Sequence, residues 1–218
     1  MTKIKICGIT NLNDAIAAIE AGADMLGFNF YSKSPRFIDI GLCRGITSRL
    51  RNRYANIVFV GVFVNMPTAE VYATIETCGL ALAQLHGDEA PQDITSLNGH
   101  AFKAIRLSVL SSALASAGNS VSPLLSVDHP ALLVDAAVKG VYGGSGVVAD
   151  WAAAAELSKR FPLLLAGGLT PENVAEAVRQ VQPWGVDVAS GVEASPGKKD
   201  FNKMKRFVEA VHALDGGQ

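Results

Sequence analysis

LLLAGGLTPENV, residues 163–174, holds a whole strand-to-helix passage. Leu163, Leu164, Leu165 and Ala166 form a short apolar run that suits a strand buried on both faces. Gly167 and Gly168 end it with a tight turn. Thr170, Pro171 and Glu172 then read as a cap followed by a first-turn proline, which predicts a helix over 171–181. The same passage recurs along the whole chain. Strands are predicted near 4–7, 24–30, 57–64, 81–85, 102–106, 131–135, 163–166 and 185–189. Amphipathic, alanine-rich helices are predicted near 12–21, 39–53, 67–78, 90–98, 108–117, 150–160, 171–181 and 200–214. Asn11 and Asp200 precede helices as caps, and Gly22, Gly79 and Gly99 sit where helices should stop.

Eight such units in 218 residues take roughly 27 residues each. Doubly buried strands alternating with helices imply a parallel sheet, and eight units suggest a closed α/β barrel, the (β/α)8 or TIM barrel. An open doubly wound sheet is the structural alternative. No low-complexity linker divides the chain, so one domain over 1–218 is expected. The segment 108–130, rich in Ser, Gly and Pro, reads as a weak helix and then a loop.

Composition narrows the function. Hydrophobic residues make up 49% of the chain, ample for a large core, and the net charge is −1. No basic stripe points to nucleic acid. The longest apolar run, Ile57 to Val64, is far too short to span a bilayer. Cys7, Cys43 and Cys78 are odd in number and form no CxxC pair, which favours a reducing cytoplasm. The four histidines have no metal-ligand spacing, so no metal site is expected. Nothing in the pattern separates a monomer from a homodimer.

In a barrel of this type the active site gathers where strands end. Cys7 ends the first strand, Gln84 and His86 the fourth, and Asp135 the sixth. Arg36 stands in the loop after the second strand, where a guanidinium could grip a carboxylate in two-pronged fashion. Gly167 and Gly168 follow the seventh strand, and Ser190 and Gly191 the eighth. Glycine-rich turns entering helices leave backbone N–H groups free for an anion, so a small phosphorylated molecule is the expected ligand. Each of these residues also has a plainer reading. The two loops could be tight turns, Cys7 a packed core thiol, Asp135 a turn cap, His86 a strut and Arg36 a solvated side chain. Taken as an acid–base pair, Cys7 and Asp135 carry a demand: the thiol must lose its proton readily and the carboxyl must keep its own.

Gly144-Ser145-Gly146-Val147-Val148-Ala149 matches GxGxxA, the dinucleotide fingerprint, but begins nine residues after a strand end instead of in the tight turn. VYGGSG, 141–146, reads instead as a lid or wall of the pocket, with Gly144 touching substrate. Cys43 and Cys78 fall on helices and read as packing. Strand alternation puts Lys5 on the side of Cys7, about 6–7 Å deeper in the barrel. Barrel closure brings the eighth strand beside the first, so Asp187 should point inward too, and an interior Lys5–Asp187 ion pair is predicted.

The chain resembles the phosphoribosylanthranilate isomerases. The resemblance runs through KICGIT at 5–10, SPRFI at 34–38, GVFVN at 61–65, QLHG at 84–87, VDA at 134–136, GGSG at 143–146, LAGGLTPENV at 165–174, DVASGVE at 187–193 and PGKKD at 196–200. GGSG stands where GGTG is expected and VASG where VSSG is usual, and neither change removes a reacting group. The resemblance implies a cofactor-free Amadori rearrangement in tryptophan biosynthesis. It implies Cys7 as general base, Asp135 as general acid, Arg36 on the anthranilate carboxylate, and the loops of Gly167, Gly168, Ser190 and Gly191 on the phosphate. Two competing readings are a different phosphosugar barrel enzyme and a silent barrel that binds a phosphorylated metabolite. An indole-glycerol-phosphate synthase would want a lysine at a strand end, and here Lys5 and Lys103 sit mid-strand. A silent binder has no use for both Cys7 and Asp135.

Overall fold

The computed structural model describes residues 1–106, 129–135 and 151–215. Eight parallel strands close on themselves in chain order. They are β1 (Lys3–Cys7), β2 (Met25–Asn29), β3 (Val58–Phe63), β4 (Leu82–Leu85), β5 (Ala101–Arg106), β6 (Leu132–Asp135), β7 (Leu163–Ala166) and β8 (Gly185–Val188). The described helices are α1 (Leu12–Ala21), α2 (Ile40–Arg51), α3 (Thr68–Cys78), α4 (Pro91–Ser96), α5 (Trp151–Ser158), α6 (Val174–Val181) and α7 (Phe201–Asp215). Closure pairs β1 with β8, with Lys5 opposite Asp187 and Ile6 opposite Val188. The closed order excludes the open doubly wound sheet.

Strand alternation sorts the apolar residues into two cores. Met25, Val60, Leu82, Phe102, Leu133 and Leu164 fill the barrel interior. Ile4, Ile6, Phe59, Phe63, Leu132, Val134, Leu163 and Leu165 face the helices. Both faces of each strand are therefore buried, which is why the strands read as nearly continuous apolar runs. Beside these strands Phe30, just after β2, stacks on Phe63 at the end of β3 with ring centroids 5.2 Å apart.

Local signals end the helices where the sequence expects. The Asn11 side chain accepts the Asp14 N–H at 2.9 Å, and Gly22 closes α1 in the left-handed conformation at φ 109°. Gly79 closes α3 in the same way. The helix predicted from residue 171 begins instead at Val174. The Thr170 hydroxyl accepts the Glu172 N–H at 3.2 Å within the turn that precedes the helix. The Asn173 side chain accepts the Thr170 N–H, and residues 171–173 stay a turn. The sequence reading also has no counterpart for a small antiparallel hairpin after β8, β9 (Glu193–Ser195) with β10 (Lys198–Lys199). The predicted helix at 108–117 lies outside the described residues.

Candidate active site

A cavity of about 300 Å³ opens among the C-terminal strand ends. Cys7, Arg36, Gln84, His86, Asp135, Gly167, Gly168 and Ser190 line it, so eight of the ten predicted site residues meet in one place. Gly191 stands just behind: it follows Ser190 in a single 3-10 turn, Ser190–Val192, and a Cβ there would overlap the Leu169 carbonyl. Glycine at 191 thus lets the eighth loop press against the seventh. Gly144 and the VYGGSG stretch lie outside the described residues.

The seventh loop owes its form to two glycines. Gly167 and Gly168 both adopt positive φ, 99° and 67°. Two successive left-handed residues are cheap only for glycine. A Cβ on Gly168 would meet nothing within 4 Å, so that position faces open space.

Cys7 is buried, and its thiol is held above the ordinary cysteine value. Burial is the main cause; the nearby Lys5 ammonium pulls the other way, and Asp187 adds to the rise. The sequence argument asks for a thiol that parts with its proton readily, and the resting structure runs opposite to that demand. A strand position shows where a side chain stands, whereas its proton affinity follows from the surroundings. Beneath Cys7 the predicted ion pair is present, with Lys5 Nζ 2.7 Å from Asp187 Oδ1.

On the fourth strand the Gln84 amide nitrogen lies 2.8 Å from His86 Nδ1. With the amide donating, the imidazole carries its proton on Nε2. Burial lowers the His86 pKa despite the nearby Asp135 and Asp187 carboxylates, so the ring is neutral at pH 7. The Gln84 amide oxygen is buried and has no partner among the described residues.

Arg36 does grip a carboxylate in two-pronged fashion, but the carboxylate is the protein's own. Its Nε and Nη2 donate to Glu193 at 2.8 and 2.7 Å. Lys199 Nζ adds a bond to the same carboxylate at 3.0 Å and another to the Ala189 carbonyl at 3.1 Å. Arg36 and Lys199 hold the Glu193 carboxyl below its ordinary value against the effect of burial. Thr10 Oγ1 donates to the Gly197 carbonyl at 2.6 Å, tying the hairpin to the loop after β1. Glu193 and Lys199 are absent from the residues singled out by sequence reasoning. Their available signal is two charged residues inside the DVASGVE and PGKKD motifs with no predicted helix or strand to explain them. Asn29 and Asp187 also line the cavity. No group of three or more possible metal ligands occurs among the described residues.

A family model for N-(5'-phosphoribosyl)anthranilate isomerase matches residues 4–210. The chain belongs to the phosphoribosylanthranilate isomerase family. A member from Pelobacter propionicus is 43% identical over 208 residues, covering 95% of this chain and 94% of its own. The crystal structure of the family member from Thermotoga maritima superposes with a TM-score of 0.85 at 37% identity, covering 98% of this chain and all of the other. Another solved family structure is in complex with reduced 1-(o-carboxyphenylamino)-1-deoxyribulose 5-phosphate; it has a TM-score of 0.81 at 35% identity and the same coverage.

Proposed function

We propose that this protein catalyses the Amadori rearrangement of N-(5-phosphoribosyl)anthranilate to 1-(o-carboxyphenylamino)-1-deoxyribulose 5-phosphate, in tryptophan biosynthesis, with Cys7 as base and Asp135 as acid. One observation carries the reading: a thiol from β1 and a carboxyl from β6 open on the same cavity, which the Gly167-Gly168 loop and Ser190 also line. A phosphorylated molecule seated on those loops would lie across both groups.

The chemistry needs only proton transfers. Asp135 gives a proton to the ribose ring oxygen, the C1–O bond breaks, and the anthranilate nitrogen supplies electrons to form an iminium. Cys7, as thiolate, takes the proton from C2 to leave an enolamine. The ketone forms as C1 gains a proton and the C2 hydroxyl loses one, and both groups return to their starting states. A thiolate in so poorly solvated a place is strongly basic, which suits removal of a proton from carbon. Arg36 receives the anthranilate carboxylate through the N–H groups that Glu193 leaves free. The unpartnered Gln84 oxygen accepts from a sugar hydroxyl. The three free cysteines suit a reducing cytoplasm, and no described helix is long and apolar enough to cross a membrane.

The test is a fluorescence assay of freshly generated substrate on the wild type beside Cys7→Ser and Asp135→Asn. Each variant should lose about a hundredfold or more in rate, the usual scale of acid–base catalysis. Near-normal rates in both variants would discard the mechanism. A folded wild type without turnover would discard the function and favour a phosphosugar binder.

A further inference from the structure

Lys5 is a fully buried ammonium in the barrel interior, directly below the active-site thiol. A charge in that position is costly without a partner, and an apolar side chain of similar size would fill the space. The partner is Asp187, at 2.7 Å. Gly27 on β2 stands opposite Cys7 in the sheet. A Cβ on Gly27 would lie 2.7 Å from Cys7 Sγ and 3.0 Å from Lys5 Nζ. Both groups therefore border the same missing side chain, and their atoms lie within about 5.7 Å of each other. Glycine at 27 leaves room for the thiol and the ammonium to stand together.

We propose that the Lys5–Asp187 pair is a charge-setting floor of the active site, in which Lys5 stabilises the Cys7 thiolate that acts as base and Asp187 tempers that effect. The proposal deepens the reading of Cys7 as the base and rests on it. Both members are positioning residues. The charged groups facing Cys7 come from four elements: Lys5 on its own strand, Asp187 on β8, Lys199 on β10 and Arg36 on the loop after β2. His86 and Asp135 share the cavity. Among the charges, Lys5 acts most strongly on the thiol and favours its ionised form; Asp187 opposes it and Lys199 assists. Lys5 itself remains protonated: burial works against its charge, but Asp187 and Cys7 together lift its pKa above the ordinary lysine value.

The two residues thus act on the thiol with opposite signs, and a purely structural pair would not. The test follows Cys7 alkylation by iodoacetamide against pH, read at the Cys7 peptide by mass spectrometry, beside the pH profile of kcat/KM. Lys5→Met should move the Cys7 titration up by about one unit or more, the scale of a neighbouring opposite charge. Thiolate reactivity at pH 7 would then fall about tenfold. Asp187→Asn should move the titration down. The double variant, which leaves no buried charge unpaired and guards against misfolding of the single variants, should lie between them. Folded single variants that shift in the same direction, or a folded Lys5→Met variant that leaves the Cys7 titration unmoved, overturn the proposal. Alkylation that shifts as expected while the kcat/KM profile stays fixed overturns Cys7 as the base, and the earlier reading fails instead of the electrostatic coupling.

Discussion

Replacing Glu193 by glutamine keeps the side chain's shape and removes one charge. The carboxylate accepts from Arg36 at 2.8 and 2.7 Å, from Lys199 at 3.0 Å and from the Gly197 N–H at 3.3 Å. Solvent barely reaches the Glu193 and Lys199 side chains, at 4% and 0% exposure, so screening offers that half of the cluster little relief. The Arg36 half, 23% exposed, is partly screened. Removing one partner of a buried pair costs about 3–5 kcal/mol. Lys199 recovers part of this, because burial already lowers its pKa and it can shed its proton while keeping the Ala189 carbonyl. The expected loss is therefore at the low end, about 3 kcal/mol. For a chain of this length that is a fall of roughly 6–12 °C in Tm.

Thermal and urea unfolding at pH 7 measure the loss, and a value below about 1 kcal/mol, the worth of a surface pair, would refute the reasoning. The pH dependence separates charge from packing. The folded Glu193 carboxyl lies below its unfolded value of about 4.3. Its contribution is full above that value and is lost as pH falls through the folded pKa. Glutamine carries no such titration, so the two proteins should converge in stability in acid. A gap that stays constant down to pH 3 would assign the loss to packing. Arg36 would also lose its anchor, so KM for the substrate should rise more than kcat falls.

Gly168→Ala should leave a folded protein, because its Cβ meets nothing within 4 Å, at a backbone cost of about 1–2 kcal/mol for φ of 67°. Its new methyl would stand at the proposed phosphate loop, so inhibition by inorganic phosphate should weaken; an unchanged inhibition constant would remove Gly168 from the proposed anion seat. Cys43 and Cys78 act on each other with opposite effects, the Cys78 thiol falling below its ordinary value and Cys43 rising above. Cys78 also lines an open cleft with Arg44 and Arg51. Peptide mapping during slow alkylation should find Cys78 modified before Cys43, and the reverse order would contradict the assigned asymmetry.

Much of the barrel was legible because period-two alternation in a closed parallel sheet maps directly onto space. KIKIC places Ile4 and Ile6 toward the helices and Lys5 and Cys7 inside, as found. Local chemistry was legible at Asn11 and Gly22, where the cap and the left-handed stop each depend on one residue. The start of α6 differs from the expectation by one turn: the Asn173 and Val174 N–H groups both bond the Thr170 carbonyl, 171–173 form that turn, and the regular helix follows from Val174. Most of the cavity lining followed from strand ends, since those positions need no knowledge of loop conformation. The proton affinity of Cys7 did not, because burial and three charged neighbours set it.

Two ion pairs show where legibility stops. Lys5 and Asp187 are 182 residues apart, yet their meeting was predictable, because closure fixes which strand neighbours β1 and alternation fixes which side chains face inward. Arg36 and Glu193 are 157 residues apart, a similar separation, and their meeting was not foreseen. Neither lies in a barrel strand: Arg36 is in the loop after β2 and Glu193 starts the β9–β10 hairpin. Their approach depends on local contacts, such as Gly197 at φ 78°, where a Cβ would come within 2.9 Å of the Pro35 carbonyl. Sheet periodicity carries no information about such a turn. The barrel places the proposed reacting groups by rule, whereas the arginine that would orient the substrate is placed by loops whose geometry appears only in the folded chain.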